Sequence, residues 1–411
     1  MQPGAGKRRI AFVVHRYGDQ ITGGAEAHCR QIAERMARYY EVEVLTTTAL
    51  DHLSWKNVLP AGRDELNGVV VRRFPSATER NLVEFHKIYD RIFLTQLTPE
   101  EEYAMLRHQG PYCPKLIEYL RNSADRYGAF VFFTYMYYPT CLGLPLVKSK
   151  AAFVPTAHDE TSLYMHLLDD LFRQTPFLLF NSQEERHLLQ RRFNLPVGLG
   201  RVVGMGVEPT DPGPPDAAWP DLAERIGASR VLAYLGRVEN GKGCDELVDF
   251  FLRYVEKAGC RDLLLLLVGR RTLPIPDHPQ ILSTGYVSEY LKQQLLRRAD
   301  IVVASSPFES LSLTALEALL FERPLLVNGH CPVLVGHCLR SNGGLWYRDY
   351  EEFSEALATL LEDPELRRAM GAQGRRYVEE NYRWETVEQA YREVLEAIIA
   401  GGAGGHEERL R

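Results

Sequence analysis

Two hydrophobic periods alternate along the chain. Short, nearly continuous apolar runs recur at Arg9–Val14, Val42–Thr46, Val69–Phe74, Phe130–Thr134, Ala152–Thr156, Phe177–Phe180 and Arg201–Val203. They resume at Val231–Leu235, Leu263–Val268, Ile281–Gly285, Asp300–Ser305 and Pro324–Val327. Such runs predict strands buried on both faces. Between them the pattern changes. Ala25, Cys29, Ile32, Ala33, Met36, Ala37 and Tyr40 mark one face of a 3.6-residue period and predict a helix from about Ala25. Asn181-Ser182-Gln183-Glu184 is a helix-capping signal. Helices are also predicted near Ser288–Arg297, Tyr350–Leu361, Pro364–Glu380 and Trp384–Ala400, and residues 81–126 read as largely helical. Strands alternating with helices in both halves predict α/β domains with parallel sheets, and a cleft between their strand ends.

Proline and glycine crowd together at 209–216, which reads as a linker. The expected division is a first domain at 1–207 and a second at 208–383. A final helix at 384–400 and a flexible, glycine-rich tail at 401–411 complete it. A length of 411 residues suits two domains.

Composition narrows the function classes. Apolar content of 45% with 25% charged residues is ordinary for a globular chain. A net charge of −6 argues against a nucleic-acid binder. The first 207 residues carry 25 basic against 22 acidic side chains, the remainder 23 against 32. A slightly basic first half could touch a membrane surface peripherally or an anionic acceptor; solvated helix faces are the plainer explanation. Seven scattered cysteines, none in C-x-x-C, suit a reducing cytoplasm and give no zinc pattern. The apolar run after the basic start is too short for a signal peptide, and no run of about 18 apolar residues predicts a spanning helix.

Three stretches carry candidate chemistry. The Asp300–Ser305 run is followed by Pro307-Phe308-Glu309-Ser310-Leu311-Ser312-Leu313-Thr314-Ala315-Leu316-Glu317. Glu309 falls at a strand's carboxyl end, where open α/β sheets bind ligands, and the next helix start favours an anion. One carboxylate, a helix N-terminus and the second carboxylate, Glu317, suit a sugar, a diphosphate and a ribose. A glycosidase pair is the other reading of two carboxylates. Gly236-Arg237-Val238-Glu239-Asn240-Gly241-Lys242-Gly243 sets two cations around a glycine-rich turn, and together they suit a diphosphate. Gly23-Gly24, at the first strand–helix crossover, permits close backbone approach to a ligand or marks a loop needing positive φ.

The order GRVENGKG, LLLVGR, GYVSEYLKQQLLRRADIVVASSPFESLSLTALEAL and RPLLV resembles the second domain of the retaining glycosyltransferases of family 4. ITGGAEAHCRQIAERMARYYEVEVLT, FNSQEERHLL and GMGVE resemble its first. The resemblance covers nearly the whole chain, weakly at 50–150. It implies a GT-B fold of two Rossmann-like domains and transfer from a nucleotide-sugar donor to a glycan, lipid-linked or small-molecule acceptor; with no Asp-x-Asp at a strand end, the transfer is expected to be metal-independent. It implies no cofactor, and the final helix commonly returns to the first domain in this fold. Arg237 and Lys242 match the pair that contacts the diphosphate, and Gly236 belongs to the same turn. Glu309 matches the glutamate that contacts the transferred sugar, and Glu317 the one that binds the ribose hydroxyls. Backbone groups at Ser310, Leu311, Ser312 and Leu313 fall where diphosphate and sugar bind. Gly23 and Gly24 match a turn closing over the donor, and His158 a histidine near the reacting sugar. A capped loop residue is the plain alternative for His158.

Two departures concern backbone. The family usually has glycine where Ser312 stands, and again where Glu322 stands in a turn expected to face water. The loop after Val327, Asn328 to Val333, also differs. Acceptor contacts are expected from 50–150, where Trp55, Arg73 and many aromatic residues lie. A nucleotide-sugar epimerase of the same fold and a non-catalytic sugar-nucleotide binder are the rival functions.

Overall fold

The computed structural model describes residues 7–21, 23–209 and 211–401. It divides into two compact units, Met1–Met205 with Val387–Arg411, and Gly206–Thr386. The expected tail lies outside the described residues except for Gly401.

The first unit holds an eight-stranded sheet. Its strands are β1 (Arg9–Val13), β2 (Glu41–Thr47), β3 (Gly62–Leu66), β4 (Val69–Phe74), β5 (Ala129–Phe133), β6 (Ala151–Val154), β7 (Phe177–Phe180) and β8 (Arg201–Val202). The order is β3-β4-β2-β1-β5-β6-β7-β8, parallel except for the β3–β4 pair. The second unit holds β9 (Arg230–Leu235), β10 (Leu263–Val268), β11 (Ile281–Gly285), β12 (Ile301–Ala304), β13 (Leu325–Asn328) and β14 (Gly344–Tyr347). Its order is β11-β10-β9-β12-β13-β14, all parallel. Both are doubly wound sheets of the Rossmann type. The chain reverses its direction of travel beside β1 in one and beside β9 in the other. Ligands of such sheets lie at the carboxyl ends flanking that reversal.

The central strands β1, β5, β10 and β12 are buried along their apolar runs, with only Arg9 at the start of β1 partly exposed. Elements without such runs escape the sequence pattern. β3 is Gly-Arg-Asp-Glu-Leu, an exposed antiparallel edge. Its charges suit an edge strand, and it turns into β4 through Asn67-Gly68, both at positive φ. The loop expected at Asn328–Val333 is shorter, Gly329 to Cys331, and a helix at Pro332–Ser341 follows it, with proline in its first turn. β14 follows it.

The last helix, Trp384–Ile399, begins in the second unit and continues from Val387 in the first. In the first unit Glu388 pairs with Arg35 at 3.2 Å and with Arg38, and Tyr40 donates to Glu396 at 2.8 Å. Among the described residues no helix is long and apolar enough to cross a membrane.

Candidate functional site

In the second unit the chemistry gathers where β9 and β12 end side by side. β9 runs out into Gly236 and Arg237, and β12 into Ser305, Ser306 and Glu309. Lys242 Nζ lies 2.7 Å from Glu309 Oε1 and 3.5 Å from Ser306 Oγ. Arg237 is exposed and stands 3.1 Å from Glu239 Oε1. Glu317, on the Leu313–Leu320 helix, takes a 2.8 Å bond from Lys292 Nζ. Lys292 also reaches Glu289 at 3.0 Å. Burial pushes the Lys292 ammonium down, but Glu317 and Glu289 outweigh it and hold it above its ordinary value. Arg237, Lys242, Glu309 and Glu317 thus each meet an opposite charge.

The backbone around these groups is tightly fixed. Gly243 has φ +66, and a Cβ there would run into the Ser305 carbonyl, so this turn admits only glycine. The Ser305 hydroxyl donates to the Lys242 carbonyl at 2.8 Å, joining the two loops. Tyr234 donates its hydroxyl to the Arg237 carbonyl at 2.8 Å. On the other side, buried His337 lies 2.7 Å through Nε2 from the Leu311 carbonyl and 3.0 Å through Nδ1 from the Tyr377 hydroxyl. Leu311 is buried, and Ser310, Ser312 and Leu313 are partly exposed. Ser312 caps the Leu313–Leu320 helix in the left-handed region, φ 62. The first-turn N–H groups of a helix have no intrahelical acceptor, so those of Leu313 and Thr314 suit an anion.

The sequence did not point to Lys292, Tyr234, Ser305 or His337. Lys292 is 25 residues from Glu317, with no spacing rule linking them. His337 sits in a helix, Pro332–Ser341, that the sequence pattern had not marked.

The first unit holds the remaining predicted residues. Gly23 is the N-cap of the Gly24–Met36 helix with φ −70, and Gly24 opens that helix. Neither uses positive φ, which corrects one of the two sequence readings. Gly23 has a packing reason instead, since a Cβ there would strike the Glu26 carboxylate. Glu26 is buried, accepts from Arg16 and lies 2.8 Å from His15 Nε2. Burial pushes its carboxyl up, but His15 and Arg16 overcome this and hold it far below the usual range. Gly24 has open space where a Cβ would stand. His158 follows β6, partly exposed, with Nε2 3.5 Å from Glu160 Oε1.

Two expected acceptor contacts are overturned. Trp55 is fully buried and donates to the Gln109 carbonyl at 2.6 Å. Arg73 is buried and pairs with Asp64 at 2.8 Å. Most aromatics of 81–126 join the core beside Phe85; only Phe93 and Tyr103 are well exposed.

Residues 229–363 match the family model described as glycosyl transferases group 1. The chain is 24% identical over 273 residues to the alpha-D-kanosaminyltransferase of Streptomyces kanamyceticus, covering 60% of this chain and 68% of that protein. Among solved structures it resembles a sucrose-phosphate synthase from Thermosynechococcus elongatus, with TM-score 0.69, 18% identity, and 95% and 100% of the two chains covered. It also resembles HepE of Anabaena, solved in complex with UDP and glucose, with TM-score 0.66, 14% identity, and 95% and 100% covered. The fold is GT-B, and the chain is a glycosyltransferase.

Proposed function

We propose that the chain is a retaining glycosyltransferase of family 4. It moves a sugar from a UDP- or GDP-sugar to a hydroxyl of a glycan, lipid-linked or small-molecule acceptor. The observation that carries this reading is the 2.7 Å contact of Lys242 with Glu309, beside the left-handed Ser312 cap. It joins a cation suited to a diphosphate with a carboxylate suited to sugar hydroxyls, at the ends of neighbouring strands.

Arg237 and Lys242 neutralise the diphosphate as it leaves, and the backbone of Leu311, Ser312 and Leu313 adds N–H donors. Glu309 orients the transferred sugar and Glu317 the ribose. Gly23 and Gly24 close over the donor, and His158 contacts the reacting sugar. In the transfer the C1–O bond to the diphosphate breaks and the acceptor oxygen bonds C1 on the same face. The acceptor proton passes to the departing phosphate oxygen, releasing nucleoside diphosphate and a glycoside. The two cations supply the countercharge, so the reading needs no metal and no cofactor. A cytoplasmic site of action, with peripheral membrane contact for a lipid-linked acceptor, belongs to the same proposal.

The test is a panel of UDP-, GDP- and ADP-sugars, with and without simple glycoside acceptors, followed by nucleoside diphosphate release. Release with at least one donor, with the anomeric configuration kept in the product, is the expected result. No release from any donor sinks the reading, and release of a free 2-epimer replaces it with epimerisation.

A further inference from the structure

The carboxyl ends of β5, β6 and β7 in the first unit converge on one polar assembly. Thr134 follows β5 and Thr156 follows β6, and both adopt positive φ, 69 and 53. A β-branched residue in that region is a backbone outlier, and such strain collects at functional sites. Tyr135, next to Thr134, is fully buried and donates its hydroxyl to Glu160 Oε1 at 2.6 Å. The same Glu160 oxygen lies 3.5 Å from His158 Nε2. Burial pushes the Glu160 carboxyl up, but His158 and Tyr135 outweigh it and leave it below its ordinary value. Glu160 therefore stands as a carboxylate.

The backbone under His158 is held from a third strand. Glu185, in the Gln183–Phe193 helix after β7, is buried. Its Oε1 accepts from the Ala157 N–H and its Oε2 from the Asn181 N–H, each at 2.5 Å. The Thr156–Ala157 peptide, one residue before His158, is thus tied to the end of β7, while the ring faces a carboxylate braced by a buried tyrosine. An imidazole, a carboxylate on one ring nitrogen and a third group fixing that carboxylate is the arrangement that sets a histidine's tautomer and aim. Hydrogen bonds of this kind are often long without substrate and tighten when it binds.

We propose that Glu160, braced by Tyr135, is the positioning residue for His158. It holds the imidazole as the Nε2–H tautomer, with its other nitrogen turned to a hydroxyl of the bound substrate. This rests on the reading of His158 as the histidine beside the reacting sugar. Glu160 touches no substrate itself and acts through the ring.

The test combines turnover with nitrogen NMR of histidine-labelled full-length protein. Glu160→Ala removes the carboxylate, and Tyr135→Phe removes only its brace and keeps the ring packed on Phe172. In Glu160→Ala the neutral His158 signal shifts from the Nε2–H form toward a tautomer mixture. Its kcat falls on the order of a hundredfold, and the KM for the donor stays within about threefold. Tyr135→Phe shows the same changes at about a tenth of the size, the scale of one lost hydrogen bond. An unchanged His158 tautomer in Glu160→Ala overturns the pairing, whether or not a donor has been found. A shifted tautomer with unchanged kcat overturns the positioning role. A wild-type protein inert toward every donor sinks the transferase reading instead, and the NMR comparison still decides whether Glu160 orients His158.

Discussion

Lys242 and Glu309, 67 residues apart in sequence, meet at 2.7 Å. The cation proposed for the donor's diphosphate is therefore already engaged by the carboxylate proposed for its sugar. A diphosphate arriving without a sugar must share Lys242 with a negative charge. Glu309→Gln removes that competitor while keeping the side chain's shape. Both side chains are about a quarter exposed, so the competition is worth on the order of 1 kcal/mol. UDP is expected to bind the variant about fivefold more tightly, by calorimetry. Transfer from the donor found in the panel is expected to be nearly lost, because the sugar is no longer oriented. Weaker UDP binding in Glu309→Gln would show that the carboxylate supports the nucleotide rather than competing with it.

Removing the cations should act in the opposite direction and unequally. Lys242 is partly buried between Ser306 and Glu309, whereas Arg237 is exposed beside Glu239. Lys242→Met is expected to cost UDP affinity about ten- to a hundredfold, the scale of a charge-assisted hydrogen bond. Arg237→Met should cost less, and its effect should fade further as salt is raised. Lys242→Arg is not expected to restore binding, because a planar fork does not replace a compact ammonium between Ser306 and Glu309. Calorimetric titration at two salt concentrations checks all three variants, and equal affinities in wild type and Lys242→Met would remove Lys242 from the site.

The parts that were legible in the sequence are those written by burial. Leu263–Val268 and Phe177–Phe180 are read without error because a strand covered on both faces must be apolar along its length. β3 is polar because it is an exposed edge, so the hydrophobic pattern passed over it; the Asn67-Gly68 turn was the signal that could have found it. Glu309, Arg237 and Lys242 were singled out by their places after strands, and Glu317 as the second carboxylate on the helix that follows Glu309. Their partners were not: Glu317 is met by Lys292 from a different helix, and topology rather than spacing brings them together. Trp55 and Arg73 failed for a related reason. Residue type suggests a recognition surface, but the direction of the side chain is decided by packing, and both point inward.

Ser312 and Glu322 stand where the resembled family usually has glycine, and both adopt positive φ, 62 and 58. A side chain in that region costs about 1–2 kcal/mol, partly offset by the smaller entropy an L-residue loses on folding. Ser312→Gly and Glu322→Gly are each expected to raise the melting temperature of the second unit by about 1–3 °C. The gain at Glu322 should be the smaller, since its exposed ion pair with Arg375 is lost. Ser312→Val should lower it, because a β-branched side chain fits this conformation least. Calorimetric melting decides, and a fall in both glycine variants would mean that the side chains hold the turns rather than strain them.

His28 gives the first unit an acid-sensitive point. It is buried, packs edge-on against Phe133 and lies 3.4 Å from the Tyr391 hydroxyl on the last helix. Burial pushes its pKa down to about 3, against a smaller upward pull from a hydrogen bond with the Gly204 backbone. The unfolded chain takes up this proton near its ordinary value of 6.5, whereas the folded chain refuses it until about 3. Between those values unfolding binds a proton, so the stability that neutral His28 supplies above 6.5 is lost progressively as pH falls through the window. The slope is at most about 1.4 kcal/mol per pH unit. His28→Phe removes the titrating group and keeps an aromatic ring beside Phe133 and Tyr391. Its loss of stability between pH 7 and pH 5 is expected to be smaller than that of the wild type. Hydrogen exchange of the β1 and Gly24–Met36 amides, measured at both pH values, isolates the effect to this unit. Parallel losses in the two proteins would clear His28 of the acid sensitivity.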